Sequence, residues 1–278
     1  SKSKINHSSF HTFAHFMRKA YLQMHIAIFL WGFTGILGRL IELQEGLLVW
    51  YRMMITIIAL FALIYFNGEF KKISWKEFRQ ISFIGALMAI HWVTFYGSIK
   101  YSNISIALSC FSSTALFTAF IEPMINNRRI SKAEILFGII TIAGIYLIFR
   151  FQQLYTVGIL LALFSSFLCS IFTIKNKDLL GMHSPGNLMF YEMLSGFVVL
   201  NLLLPFYLYF LPVEKYFPTP SDWFYLFVFS LVCTVYAMRI SFKALKVVTP
   251  FTMNLSVNLE PVYGIVLAFL VFKEQKDL

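Results

Sequence analysis

Apolar residues run along this chain in long blocks rather than in alternation. Each block is roughly 20 residues long and is ended by charged residues or by Pro and Gly, which matches a helix that crosses a bilayer. Nine such blocks are present, at about 24–41, 47–66, 80–99, 103–124, 132–150, 156–175, 186–210, 222–243 and 250–272. Most breaks between them are shorter than ten residues, so successive helices are expected to lie antiparallel. No stretch is long and polar enough to form a separate soluble domain. The pattern predicts an all-α polytopic membrane bundle.

Composition agrees about the solvent. Of 278 residues, 59% are hydrophobic and only 13% charged, too little charge for a water-soluble domain. The net charge of +10 invites a nucleic-acid reading, but its distribution speaks against one. With the N-terminus placed inside, the inner segments hold Lys2, Lys4, Arg18, Lys19, Lys71, Lys72, Lys76, Arg79, Arg128, Arg129, Lys132, Lys175, Lys177, Arg239, Lys243 and Lys246. The outer ends hold only Arg39, Lys100, Arg150, Lys215, Lys273 and Lys276. This is the positive-inside signature. It predicts a multi-pass protein of the inner (cell) membrane with a cytoplasmic N-terminus. The partners expected are the lipid bilayer, whose anionic heads suit the basic face, and a small molecule, with no nucleic acid.

Residues 1–23 form a basic segment whose Phe10, Phe13, Phe16 and Met17 suit an amphipathic helix on the inner surface. It lacks the apolar core and cleavage site of a signal peptide. Cys110, Cys169 and Cys233 show no metal or CxxC spacing and read as small packing residues. No Walker motif, HExxH or GxSxG is present, so no cofactor is expected. The glycines at 32, 35 and 38 follow no strand and fit helix packing better than dinucleotide binding.

A weak internal repeat relates the two halves. Ser98–Ser102 aligns with Ala244–Val248, which sets Phe117 opposite Tyr263 and Arg128 opposite Glu274; Trp31–Arg39 likewise parallels Phe167–Lys175. The offset is five helices. An odd number inserts the second half upside down relative to the first, the inverted arrangement of many secondary carriers.

Several short motifs lie in a telling order: Trp31-Gly32 in the first block, Tyr51-Arg52 opening the second, Ala244–Lys246 with Thr249-Pro250, and Leu259-Glu260-Pro261-Val262 followed by Glu274. In these the chain resembles EamA-type members of the drug/metabolite transporter superfamily over essentially its whole length. The resemblance implies ten helices in two inverted five-helix repeats, and export or exchange of small metabolites, often amino acids. Here the repeats would be 24–150 and 156–278. Arg128 departs from the pattern, standing where the first repeat often has an acidic residue. The sequence stops at Leu278, where the tenth helix would begin, and does not start with Met, so an incompletely covered protein is expected.

Polar groups inside the blocks are the candidates for function, because they are expensive in lipid. Asn254 and Asn258 share one helix face, Ser256 and Glu260 another. Pro261 and Pro250 free the carbonyls four residues before them, which is tolerable only against protein or a water-filled cavity. Glu260 lies near the midplane, either as a structural group or on a pathway, and is the candidate for proton coupling. His91 is either a hydrogen-bonded core residue or a substrate or proton group. Arg52 either snorkels to the nearby interface or binds a substrate carboxylate. Glu192 fits an interfacial position, a lysine partner or a pathway role; Glu122 and Arg239 read as interface residues. Ser112, with Ser109, Ser113 and Thr114, permits close helix contact or lines the path. The family resemblance places a cavity among helices 1, 3, 4, 6, 8 and 9. The pathway candidates are therefore Trp31, Arg52, His91, Tyr96, Ser112, Asn254, Asn258 and Glu260.

The function expected is secondary transport of a small organic metabolite, with export of an amino acid or related compound by alternating access, and not catalysis. The alternative is an intramembrane lipid-modifying enzyme. That chemistry needs clustered His and Asp/Glu near one face, and the 13 acidic residues are dispersed.

Overall fold

The computed structural model describes residues 7–151, 155–211 and 213–272, and all the regular structure among them is helical. Thirteen α-helices make nine spans. Span one is α1 (His7–Gly32) and α2 (Thr34–Leu40); spans two and three are α3 (Glu45–Phe66) and α4 (Trp75–Tyr101). Span four is α5 (Ile104–Phe111) and α6 (Thr114–Asn126), and span five is α7 (Lys132–Phe151). Spans six and seven are α8 (Thr156–Leu179) and α9 (Pro185–Phe210). Span eight runs through α10 (Pro220–Val228), a π-helical stretch (Phe229–Tyr236) and α11 (Ala237–Leu245). Span nine is α12 (Pro250–Val257) and α13 (Glu260–Phe272).

Eight described segments are long and apolar enough to cross a membrane, and α7 supplies the ninth helix with 20 residues. The first is continuous from His7, so the described part of the basic N-terminal segment extends span one. Lys2, Lys4 and Glu274 lie outside the described residues. Apart from span one, the helices overrun the apolar blocks by up to a turn or so, and at several starts a side-chain cap sets the end. Span three starts at a capping box in which Ser74 and Glu77 satisfy each other's backbone N–H. Span eight starts at a second box, Thr219 with Asp222, and its Pro220 presets the first turn.

These caps make the repeat visible. The two boxes stand at equivalent places, as do Asn103, which caps α5, and Thr249, which caps α12. Spans four and nine both break in mid-membrane, at Ser112-Ser113 and Asn258-Leu259, and the alignment of Phe117 with Tyr263 sets those breaks opposite each other. Packing follows the same exchange. The third span lies along α8 and α9, while the eighth lies along α1 and α3. The fourth span packs on α8 as the ninth packs on α1, and the pairs two–seven and four–nine map onto themselves. The result is a bundle of two inverted repeats.

One core runs through most of the spans, with Met24, Ile28, Leu48, Met53, Met88, Ile104, Leu188 and Phe229 fully buried in it. Leu202, Phe206 and Leu270 stay exposed, as side chains facing lipid would. Spans one and nine meet backbone to backbone, with side chains of span four packed against them. A Cβ on Gly32 would lie 2.7 Å from that of Tyr263, and one on Gly264 would lie 2.4 Å from Leu108 Cδ1. Only glycine permits this crossing.

Candidate functional site

Between the repeats lies a cavity of about 100 Å³, walled by spans one, three, four, six, eight and nine, with span two contributing Arg52. Its lining runs from Arg52 and Tyr96, toward the face that carries residues 41–44, to Asn176, Leu245 and Met253 near the face that carries residues 246–249. We name these the second and first face. Aromatic residues dominate the walls: Trp31, Trp92, Phe95, Phe111, Phe172 and Phe242.

Arg52 is 2% exposed. Its guanidinium lies between two rings, 3.9 Å from the centroid of Trp92 and 3.9 Å from that of Phe229. Nε donates to Thr234 Oγ1 at 2.9 Å and Nη1 to Tyr96 Oη at 2.6 Å. The snorkelling alternative is therefore wrong: the side chain turns inward, where two rings and two hydroxyls replace water around the charge. The π-helical stretch makes this seat. It presents Phe229 and Thr234 to the guanidinium, Ser230 Oγ donates to the Arg52 carbonyl, and Trp31 Nε1 donates to the Cys233 carbonyl at 3.1 Å. Such stretches recur at functional sites. No residue in Phe229–Tyr236 announces it.

Glu260 opens α13 on the same cavity and is 4% exposed. Thr34 lies on the same wall beside Tyr96 and Glu260, and the charges of Arg52 and Glu260 act on each other. A cation and an acid thus share one apolar chamber. His91 lines the wall with its ring among Phe95, Phe111 and Phe172. Its Nδ1 is 3.0 Å from the Ser165 carbonyl, and Ser165 Oγ donates to the His91 carbonyl at 3.1 Å. With the proton assigned to Nδ1, every one of these partners is satisfied and Nε2 is left as an acceptor.

Of the remaining candidates, Trp31, Tyr96 and Asn254 also line the cavity, and Asn254 Nδ2 donates to Thr118 Oγ1 at 2.7 Å, joining span nine to span four. Ser112 and Asn258 are off the wall. They sit at the two helix breaks, where Ser112 Oγ donates to the Leu108 carbonyl and Asn258 Oδ1 is buried without a partner.

Three charged groups differ from their sequence readings. Glu122 is buried and pairs with Arg128, which also holds Glu134 at 2.5 Å, so the unexpected base at 128 is met by acids one helical turn or more away. Arg239 pairs with Glu69 rather than facing lipid heads. Glu192 is fully buried with neither carboxyl oxygen hydrogen-bonded, and no lysine reaches it.

The second face is tied shut across the repeats. Asp222 Oδ1 accepts from the Glu42 backbone N–H at 2.9 Å, Glu42 pairs with Lys215, and Tyr207 Oη donates to Glu45 Oε1 at 3.0 Å. Lys100 Nζ donates to the carbonyls of Ile41 and Leu43. Toward the first face the cavity lining ends at Asn176, Leu245 and Met253.

The comparisons with known proteins agree with this architecture. A solved crystal structure, 16% identical over 91% of this chain and 88% of its own, superposes with a TM-score of 0.70 and shows the same fold. No curated protein matches the sequence. The family described as "EamA-like transporter family" matches twice, over residues 18–150 and 156–278. Together the two matches span nearly the whole chain, one on each inverted repeat, and the chain belongs to the EamA-like transporter family.

Proposed function

We propose that the protein carries a small zwitterionic metabolite of amino-acid type across the inner membrane by alternating access, with export the physiological direction. The observation that carries this reading is the buried Arg52 guanidinium facing the same chamber as Glu260. A substrate carboxylate would take the fork of Arg52, an ammonium group would take Glu260, and an apolar side chain would lie against the aromatic walls. The small volume favours such a molecule over a lipid chain. The first face is taken as cytoplasmic because the lysines and arginines concentrate there. Coupling to a proton fits a chain whose family moves solutes and whose sequence carries no nucleotide motif.

The test is uptake of radiolabelled amino acids into proteoliposomes that contain only this protein and no nucleotide. Saturable uptake that an excess of unlabelled amino acid suppresses is the expected result. Its absence for every amino acid tried would sink the reading. The lipid-modifying alternative has no observation of its own, since among the described residues Glu260 is the one carboxyl group on the wall and His91 Nδ1 is engaged by Ser165.

A further inference from the structure

The second and seventh spans carry the same local pattern with one reversal: Tyr51-Arg52-Met53 against Tyr191-Glu192-Met193. The structure fixes this register. Tyr51 Oη donates to the Tyr216 carbonyl in the loop before span eight, and Tyr191 Oη donates to the Lys71 carbonyl in the loop before span three. Spans eight and three are exchange partners, so Glu192 is the second repeat's counterpart of Arg52. Their present surroundings differ. Arg52 stands on the cavity wall, whereas Glu192 is 0% exposed with neither carboxyl oxygen bonded. The polar side chain that acts on its carboxyl group is that of Asn176, itself fully buried, with neither amide atom within hydrogen-bond geometry of a partner, and a residue of the cavity lining.

We propose that Glu192 is a proton-binding site: it holds a proton in this conformation and exchanges it when the two repeats swap shapes. This deepens the transport reading and rests on it for the coupling step only. A carboxylate at this depth with no cation beside it, and only the Asn176 amide to meet it, bears most of its desolvation penalty, and one bound proton removes it. The charged and titratable groups of the surrounding elements are engaged elsewhere. On α3, Arg52 serves Tyr96 and Thr234; on α4, His91 serves Ser165. On α8, Lys177 Nζ donates to the carbonyls of Leu245, Lys246 and Val248; on α11, Arg239 pairs with Glu69. None of them acts on Glu192. Glu260, by contrast, has Thr34 and the charge of Arg52 beside it. A metal cation is disfavoured, because two carboxyl oxygens and one amide oxygen fall short of the six or so that hard cations collect. Exchanging the repeats' conformations moves Glu192 to the place Arg52 now has, on the wall of a cavity that reaches the second face. Asn176 then stands between the site and the first-face cavity as the polar step for release.

Infrared difference spectroscopy of the purified protein in nanodiscs, titrated with acid and base, reads the site without any substrate. The wild type is expected to show a carbonyl-stretch band of a buried neutral carboxyl group. Glu192→Gln removes it, Glu192→Asp keeps it at a shifted position, and Glu260→Gln leaves it in place. A Glu192→Gln spectrum identical to wild type overturns the proposal, and so does a band that sodium abolishes at constant pH. Folding of each variant is read from its melting curve, and if Glu192→Gln is unfolded the Glu192→Asp shift decides alone. In proteoliposomes, one proton per substrate supports about tenfold amino-acid accumulation per pH unit. Glu192→Gln loses this accumulation and keeps amino-acid counterflow. Wild-type protein without counterflow defeats the transport reading but leaves the infrared result standing.

Discussion

The two repeats share a frame and differ in what they mount on it. Capping boxes open spans three and eight at equivalent positions, and spans four and nine break at equivalent positions. On this common frame the first repeat has Arg52 where the second has Glu192, and Thr114 where the second has Glu260. Backbone hydrogen bonds must be satisfied in both halves, whichever way each faces, so the devices that end and interrupt helices stay alike. Charged side chains need satisfy only the task of their own half, and they diverge. The asymmetry of the cavity, a base toward the second face and an acid opening α13, therefore arises from side chains and not from topology.

Breaking the first half's charge gives the largest expected effect. Arg52→Ala removes the cation from between Trp92 and Phe229. Amino-acid uptake in proteoliposomes should fall about 100-fold, which corresponds to losing about 3 kcal/mol of charge-assisted hydrogen bonding. Arg52→Lys should recover only part of it, since an ammonium has no fork. Uptake by Arg52→Ala within a factor of about two of wild type would assign the guanidinium to packing alone.

The second half's acid should matter less, because the ammonium it would meet can also be hydrogen-bonded by neutral groups. Glu260→Gln keeps the shape and the reach to Thr34. A rise in the apparent KM of about tenfold with little change in maximal rate is expected, equivalent to about 1.4 kcal/mol. Placing the acid on the other repeat, as Thr114→Glu with Glu260→Thr, sharpens the comparison. Since the Thr114 hydroxyl donates to the Phe111 carbonyl inside the break of span four, the swap should give no uptake. Activity in the swapped protein would show that the repeats are interchangeable after all.

Much of the frame was legible in the sequence, because length and apolarity alone decide what can cross a bilayer. The helix ends were less so, since Ser74 and Thr219 cap beyond the apolar blocks and belong to polar stretches that a hydropathy window discards. The polar residues in mid-block pointed toward the chamber for a physical reason, as groups costly in lipid must face protein or water, and Trp31, His91, Tyr96 and Asn254 lie on its wall. Arg52's seat was not legible: Trp92 and Phe229 come from spans three and eight, and the π-helical stretch that aims Phe229 has no residue signature. Glu192 was hidden differently. Tyr51-Arg52 and Tyr191-Glu192 look unrelated as long as charge guides the alignment, and only the matching tyrosine hydrogen bonds expose the pair.

A smaller effect is expected at the glycine crossing shared by both halves. Gly32→Ala would put a methyl 2.7 Å from the Cβ of Tyr263, and the backbone of Gly264 lies 3.4 Å from the same point. Neither neighbour can yield without moving a helix. Overpacking of this kind destabilises by about 1–3 kcal/mol, to be read from thermal denaturation in detergent. Gly144→Ala, with open space around its Cβ, is the control and should be neutral.

The smallest effect tests the frame itself. Ser74 Oγ accepts from the Glu77 backbone N–H at 3.3 Å, and Thr219 Oγ1 accepts from that of Asp222 at 3.2 Å. Ser74→Ala and Thr219→Ala should each destabilise by about 1 kcal/mol, the usual worth of an N-cap. If the halves are equivalent at the backbone level, the two losses should agree to within about 0.5 kcal/mol and add in the double variant, since distant caps share no partner. One difference is built in. Asp222 also receives the Glu42 backbone N–H at 2.9 Å from the second-face closure, whereas Glu77 meets the other repeat only through His183 Nε2 at 3.6 Å, beyond hydrogen-bond distance. Asp222→Ala should therefore cost more than Glu77→Ala by about one further hydrogen bond, about 1 kcal/mol. Equal losses at Asp222 and Glu77 would mean that the Glu42 contact contributes nothing to holding the second face shut.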